Sequence, residues 1–364
     1  MNIFLDDRYS LMLLRAAAGK SNGLALESCD YMQPEALSLR YFRQDRLGIS
    51  KLLGYMYVRD EDKLGIVVPC AKNRIRSQRV DCRVLTRPRG AKPFLRLTSQ
   101  DKENPSRLVP ESTGVYVMSA TNVVLGMAGR LSKLVRTDKM THTKAKLMLL
   151  KLCLELCGTY THDPLNPHTG KVFYRTMPWL DVKTLVNELE KDGREAGLAL
   201  AREVASMAYD NSGSPQESLM GPALFFPDLY GGLQLTEFSA NESLALTPDE
   251  RQAIGGRTIT PDFTMGKYRS VVEYVGEIHN EGENPQIDHV RSLDYQTLGY
   301  REFRLNYDDV RTRSAFMKSA ARIVHVIAQH EGPSFTKRFV RLGSSKEFIN
   351  RQRTLFEVFR PWLR

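Results

Sequence analysis

Glu273 sits in the middle of VVEYV (residues 271–275), a run whose other members are those of a buried strand. An ionised carboxylate in such a run is costly unless a cation pairs with it or binds it. Asp262, eleven residues earlier, follows Pro261 at the start of another strand-like run, TITPDFTM. A third acid, Glu217, lies in SPQESLMGPALFF, which reads as a helix. Two carboxylates on adjacent strands and one from a preceding helix form an oxygen-rich pocket suited to a hard divalent cation. Mg2+ or Mn2+ would be held there by carboxylates, waters and a substrate phosphate. Such a cation polarises a phosphoryl oxygen and activates water for in-line attack. Each acid also has a plainer role open to it. Asp262 could close a turn, Glu217 could cap its helix, and Glu273 could pair with Arg291.

The elements that must position these residues follow in the order helix, strand, strand, helix, strand. Ser214-Pro215, with Glu217 three residues after the serine, is a capping-box start with proline at the first helical position. KYRSVVEYVGEIH supplies the strand that carries Glu273. NPQIDHVRSLDYQTLGY then reads as a helix with Asp288, Arg291 and Asp294 on one face, an ion-pair ladder in its plain reading. Gly299 stops that helix and Tyr300 opens the strand REFRLNYDDV. NSGSP marks a break before the helix, so a unit spanning 212–364 is expected. Its last stretch, SSKEFINRQRTLFEVFRPWLR, is amphipathic, with Phe348, Leu355, Phe356, Phe359 and Trp362 available for packing on the body or on a second subunit.

This ordered set resembles the PD-(D/E)XK nuclease superfamily, in the branch of very-short-patch-repair-like (Vsr-like) endonuclease domains. The residues that carry the likeness are Ser214-Pro215-Gln216-Glu217, Asp262, Glu273 through Gly276 with His279, Asp288 with Arg291, and Gly299-Tyr300. The resemblance implies an α/β restriction-endonuclease-like domain with a mixed central sheet, and hydrolysis of DNA phosphodiester bonds with Mg2+ or Mn2+. It implies Asp262, Glu273 and Glu217 as metal ligands and catalytic residues. In one respect the chain departs from the pattern, since Val275 stands where the family has Asp or Lys two residues after the strand glutamate. Strand alternation places Val275 on the face of Glu273. Glu277 as ligand and His279 as general acid or base are the nearby replacements, with Lys267 a more distant source of the missing cation.

The region before residue 212 divides by composition into a helical stretch, 1–60, and a basic strand-rich then helical stretch, 61–211. An α+β architecture is expected for it. The chain's net charge of +10 is concentrated there, with 17 Lys and Arg against 5 Asp and Glu between residues 71 and 150. Arg74, Arg76, Arg79, Arg83, Arg87, Arg89 and Lys92 recur at short intervals, as phosphate neutralisation requires, and Arg291 is a further candidate for the scissile phosphate. A solvated surface or an acidic protein partner would give the same charge. IVVPCAKNRIRSQRVDCRVLTRP, STGVYVMSATNVVLGMA and LCLELCGTY resemble AbiEi-like antitoxin proteins, in which such a region precedes a nuclease-like domain. That likeness implies a bacterial phage-defence or toxin–antitoxin setting.

Several other chemistries find no support. The chain has 364 residues, 42% of them hydrophobic and 26% charged, enough to bury a core in two or three units. No apolar run approaches the roughly 20 residues of a membrane span, and Asp6 and Asp7 read as the start of a capped helix, not as a leader. The five cysteines, at 29, 70, 82, 153 and 157, lack framework spacing, which fits a reducing cytoplasm. Cys153, Cys157, His162 and His168 do not have zinc spacing, and the two cysteines read as core. No HExxH, phosphate loop or GxSxG elbow is present. Three functions remain open on the sequence: a metal-dependent DNA endonuclease, a DNA-binding regulator on a nuclease fold without turnover, and a protein-interaction module. The partners expected are DNA, and a second copy of the chain or a toxin–antitoxin partner protein, with no membrane and no organic cofactor.

Overall fold

The computed structural model describes residues 2–19, 24–29, 63–75, 80–85, 88–99, 114–166, 170–276 and 285–359, the side chains of 99 and 285–288 excepted. The chain divides into two compact units, Met1–Ala208 and Tyr209–Arg364. Both mix helices with sheets of mixed strand direction. Among the described residues no helix is long and apolar enough to cross a membrane.

The first unit runs β1 (Asn2–Phe4), α1 (Asp7–Ala18), β2 (Leu24–Ser28), β3 (Leu64–Val68), β4 (Val80–Val84), β5 (Phe94–Ser99), β6 (Gly114–Met118), α2 (Ala120–Arg136), α3 (His142–Leu156), β7 (Tyr160–His162), β8 (Val172–Tyr174), α4 (Val182–Glu190) and α5 (Leu198–Ala205). Its main sheet has the order β1-β6-β5-β2, with β1 and β6 parallel and the other pairs antiparallel. Asp6 caps α1, its carboxylate accepting from the main-chain N–H groups of Arg8 and Tyr9, as expected of an acid at that position. Leu13 and Tyr9 of α1 pack with Ile3, Ile66, Val115 and Val117 in one core.

The structure differs from the sequence expectation at two places here. Residues 1–60 are not a separate helical region: β1 and β2 are strands of the main sheet, and only α1 lies between them. The stretch PEALSLRYFRQDRLGISKLLGYMY lies outside the described residues. Within 61–211 the strand-rich part, read from the β-favouring residues of 64–125, ends at Met118, because a helix starts at Ala120. Val123 and Val124 favour strands, but both are fully buried on α2, and tertiary packing overrides propensity. Cys153 and Cys157 are buried in the core around α3, where burial pushes the Cys153 thiol up to about 12.

The second unit runs α6 (Pro215–Phe225), β9 (Ser239–Ala240), α7 (Pro248–Ala253), β10 (Phe263–Met265), β11 (Ser270–Val275), α8 (Pro285–Thr297), β12 (Arg301–Asn306), α9 (Tyr307–Val310), α10 (Arg313–Glu331), α11 (Pro333–Ser344) and α12 (Lys346–Phe359). Its sheet has the order β12-β11-β10-β9, with β11 and β12 parallel and the rest antiparallel. Phe263 of β10 meets Phe225 of α6, at 5.5 Å between ring centroids, and Phe225 stacks on Phe238 at 4.4 Å. Val271, adjacent to Val272 and so on the opposite face, packs with Tyr295 and Leu298 beside Leu244 and Ile259. Gly299 takes a left-handed φ of 70° after α8, the conformation that ends a helix at least cost to glycine. Phe348, Leu355, Phe356 and Phe359 of α12 are buried, as their amphipathic spacing predicts; Trp362 lies outside the described residues.

Candidate active site in the second unit

The strand registers bring the acids of the sequence together. Phe263 pairs with Val272 across β10 and β11, so the next step of that antiparallel ladder sets Asp262 opposite Glu273. Phe263 also pairs with Ala240, which sets Asn241 opposite Asp262 on the other side, where the Asn241 N–H donates to the Asp262 carbonyl at 3.0 Å. Residues opposite one another in a sheet share a face. Asp262 and Glu273 therefore lie side by side on the face that α8 covers, and Asn241, just past the end of β9 with a left-handed φ of 51°, stands outside that alternation.

Hydrogen-bond donors orient each carboxylate. Asp262 Oδ2 accepts the main-chain N–H of Tyr274 at 2.6 Å. Glu273 is 6% exposed; its Oε1 takes the Tyr295 hydroxyl and pairs with Arg291 Nη2 at 3.0 Å. Arg291 lies on α8 four residues before Tyr295, so one helical face supplies both groups. Burial, and then the charge of Asp262, push the Glu273 carboxyl well above the usual range, against the pull of Arg291 and Tyr295. The Tyr295 hydroxyl is raised in turn by burial and by Glu273.

Glu217 arrives from the first turn of α6. Ser214 caps that helix by accepting the Glu217 N–H at 3.1 Å. The Glu217 side chain reaches past the cap residue: its Oε2 accepts the Gly213 N–H at 2.7 Å and Asn241 Nδ2 at 3.1 Å. Burial and the charge of Asp262 raise its carboxyl as well. Asp262 thus stands between two acids, each protonated more readily for its presence, an arrangement that favours a shared proton or a cation.

The donor chemistry fits a hard cation, because oxygen ligands gathered out of water and repelling one another gain most from a divalent charge. Among the described residues, no group of three or more His, Cys, Asp or Glu is gathered closely enough to hold an ion together. The pairs available are Asp262 with Glu273 and Asp262 with Glu217. Magnesium is commonly bound by one or two carboxylates, with water and phosphate completing the shell.

The other expected residues are placed variously. Val275 is half-buried on the Glu273 face of β11. Lys267 lies at the β10–β11 turn, the far end of these strands from Asp262, and pairs with Glu331 at 2.5 Å. The ladder expected along α8 is not made between Arg291 and Asp294: Arg257 takes Asp294 at 2.5 Å, and Arg291 takes Glu273. Glu277 and His279 lie outside the described residues, as do Arg76, Arg79, Arg87, His168 and the Asp288 side chain.

Among the basic residues of the first unit, Arg74 and Lys92 are exposed, and Lys92 donates to Ser28 Oγ at 3.3 Å. Two others are committed within the fold. Arg83 pairs with buried Asp7 at 2.5 Å, and Arg89, 5% exposed, pairs with Glu195 at 2.7 Å and donates to the Lys191 carbonyl. Their guanidinium groups are held by carboxylates 76 and 106 residues away, which local spacing does not reveal.

Two further residues, Tyr295 and Asn241, belong to the site. Tyr295 had a signal, since it lies one turn after Arg291 on the same helical face. Asn241 had none, because its place depends on the β9–β10 register. No protein-family model, curated protein or solved structure matches this chain.

Proposed function

We propose that the second unit is a divalent-metal-dependent nuclease with a restriction-endonuclease-like core, hydrolysing phosphodiester bonds of DNA. The observation that carries this reading is the place of Asp262, opposite Glu273 across the β10–β11 ladder and near enough to Glu217 of the α6 N-terminus that its charge raises both of the other carboxyls. Asp262 and Glu273, or Asp262 and Glu217, would hold Mg2+ or Mn2+. The cation, when bound, supplies charge to the phosphoryl oxygens and acidifies a water.

The remaining roles fall to the chain's own groups. Arg291 is 38% exposed at its side chain and presents a fork that suits phosphate as well as carboxylate. It neutralises Glu273 until a phosphate competes for it. Tyr295 keeps Glu273 from swinging away from Asp262. Exposed Arg74 and Lys92 contribute to backbone binding by the first unit. The resemblance of the chain favours a cytoplasmic bacterial defence or toxin–antitoxin setting, with a partner protein or a second copy.

A second reading, a DNA-binding regulator without turnover, is favoured by a specific observation. Val275 occupies the position of the usual Asp or Lys, and the Arg291–Glu273 pair already neutralises one of the acids. The two readings part in one experiment: plasmid and single-stranded DNA are incubated with the protein and Mg2+ or Mn2+, with Glu273→Ala alongside. Metal-dependent cutting by the wild type alone supports the nuclease. Salt-sensitive binding by folded protein with no cutting under either metal rejects it in favour of the regulator.

A further inference from the structure

Asn241 takes part in no helix and follows a strand of two residues, yet three observations meet on it. Its backbone is left-handed, with φ at 51°, a conformation asparagine tolerates better than other non-glycine residues. Its N–H extends the β9–β10 ladder by bonding the Asp262 carbonyl at 3.0 Å. Its side-chain amide donates to Glu217 Oε2 at 3.1 Å. One residue thus bonds the main chain of one candidate ligand and the carboxylate of another, 24 positions away in sequence.

The other donor to Glu217 Oε2, the Gly213 N–H, belongs to the start of Glu217's own helix. It fixes the carboxylate relative to α6 and says nothing of the sheet. Asn241, bonded to the Asp262 carbonyl, ties that carboxylate to the start of β10. We infer that Asn241 is a positioning residue for metal binding, its amide holding Glu217 toward Asp262 so that the two can share one cation. The left-handed turn serves this role, because it swings the amide off the strand end toward α6. The inference rests on the metal-site reading given above and deepens it.

Outer groups that orient a ligand commonly account for about 10–100-fold in metal affinity. The test separates backbone from side chain. Asn241→Gly keeps the left-handed turn without strain and deletes the amide. Mn2+ binding is measured by calorimetry on the full chain without DNA, for wild type, Asn241→Gly, Glu217→Gln and the double variant. The expected result is about a 10-fold weaker Mn2+ affinity for Asn241→Gly at an unchanged urea midpoint. In the Glu217→Gln background the same substitution is expected to have no further effect, since coupled residues are not additive. In cleavage assays the Mn2+ concentration for half-maximal rate rises while KM for DNA does not. If Asn241→Gly unfolds more readily than wild type, Asn241→Ser, whose side chain is too short to reach Glu217, is measured with the same expectations.

Wild-type affinity in Asn241→Gly would overturn the inference while leaving the metal site standing. An equal loss in the Glu217→Gln background would overturn it too, because Asn241 would then act by another route. No Mn2+ binding by wild type would overturn both the inference and the metal-site reading.

Discussion

The main-chain N–H of Tyr274 donates to Asp262 Oδ2 at 2.6 Å, so the strand that carries Glu273 also aims the acid opposite it. Glu273 is held within β11, and Asp262, one residue before β10, is held to that same strand by the Tyr274 N–H. That ties both carboxylates to β11, where small displacements are costly. It also forces like charges together, and Arg291 is the cation that offsets them.

Replacement of Arg291 tests that offset. Arg291→Met leaves Glu273 with the Tyr295 hydroxyl and the nearby charges of Asp262 and Glu302. The expected loss is about 1–2 kcal/mol in chelator, below the value for a fully buried pair because the arginine is partly solvated. Added Mn2+ restores more stability to this variant than to wild type. Urea midpoints with and without metal provide the comparison, and a variant as stable as wild type in chelator would show the pair to be dispensable.

The two kinds of arginine in the basic region predict opposite results. Arg89→Ala strips Glu195 and two main-chain carbonyls of their partner and is expected to cost about 3 kcal/mol. Arg74→Ala is expected to leave stability unchanged, weaken DNA binding, and reduce the slope of log affinity against log salt by about 1. Equilibrium unfolding and salt-dependent binding of both variants distinguish these roles.

Gln352 is fully buried in α12, and neither its amide oxygen nor its nitrogen has a hydrogen-bond partner among the described residues. Burying an amide without partners costs free energy that an apolar side chain of similar size avoids. Gln352→Leu is expected to stabilise the protein by about 1–2 kcal/mol. A lower urea midpoint would show that the amide is satisfied after all.

Acid should destabilise the first unit through a buried cluster on α1, α3 and β7. Arg15 forks onto Glu155 at 2.8 and 2.7 Å, and the Thr161 hydroxyl and His162 N–H also bond that carboxylate. Burial alone would raise the Glu155 carboxyl, but Arg15, His162 and the hydrogen bonds bring it from 4.5 down to about 2. Burial takes His162 from 6.5 down to about 4, against the pull of Glu155. In both cases the unfolded chain binds the proton first as pH falls. Stability is therefore complete above pH 6.5; His162 withdraws its share between 6.5 and about 4, and Glu155 between 4.5 and about 2. The histidine share is on the order of 3 kcal/mol. Unfolding midpoints between pH 7 and pH 4 should fall for wild type and fall distinctly less for His162→Phe.

Much of this was legible before the fold was known. Ser214, Pro215 and Glu217 announce a helix start through local chemistry, and β-branched runs announce the strands beside Asp262 and around Glu273; the helix and the Glu273 strand formed, while of TITPDFTM only Phe263–Met265 pairs as a strand, with Asp262 just before it. Buried Glu273 was conspicuous because a charge in VVEYV needs a reason. What sequence did not reveal depends on contacts distant along the chain. Tyr295 meets Glu273 across 22 positions, and Asn241 meets Glu217 across 24, each through a register that only the folded sheet defines. Arg83 and Arg89 looked like surface cations because their carboxylate partners come from remote elements. The first strand, Asn2–Phe4, is too short to show alternation, and it finds its place by pairing with Gly114–Tyr116.

Asp262 is the acid on which the account depends, since both other carboxyls respond to it. The most direct measurement is Mn2+-dependent DNA cleavage by Asp262→Asn, made beside its DNA affinity in the same buffer. The substitution keeps shape and removes charge. A metal ligand of this kind predicts a rate lowered by roughly 100-fold or more, with DNA affinity and the urea midpoint close to wild type. Cleavage at the wild-type rate by Asp262→Asn would contradict the account.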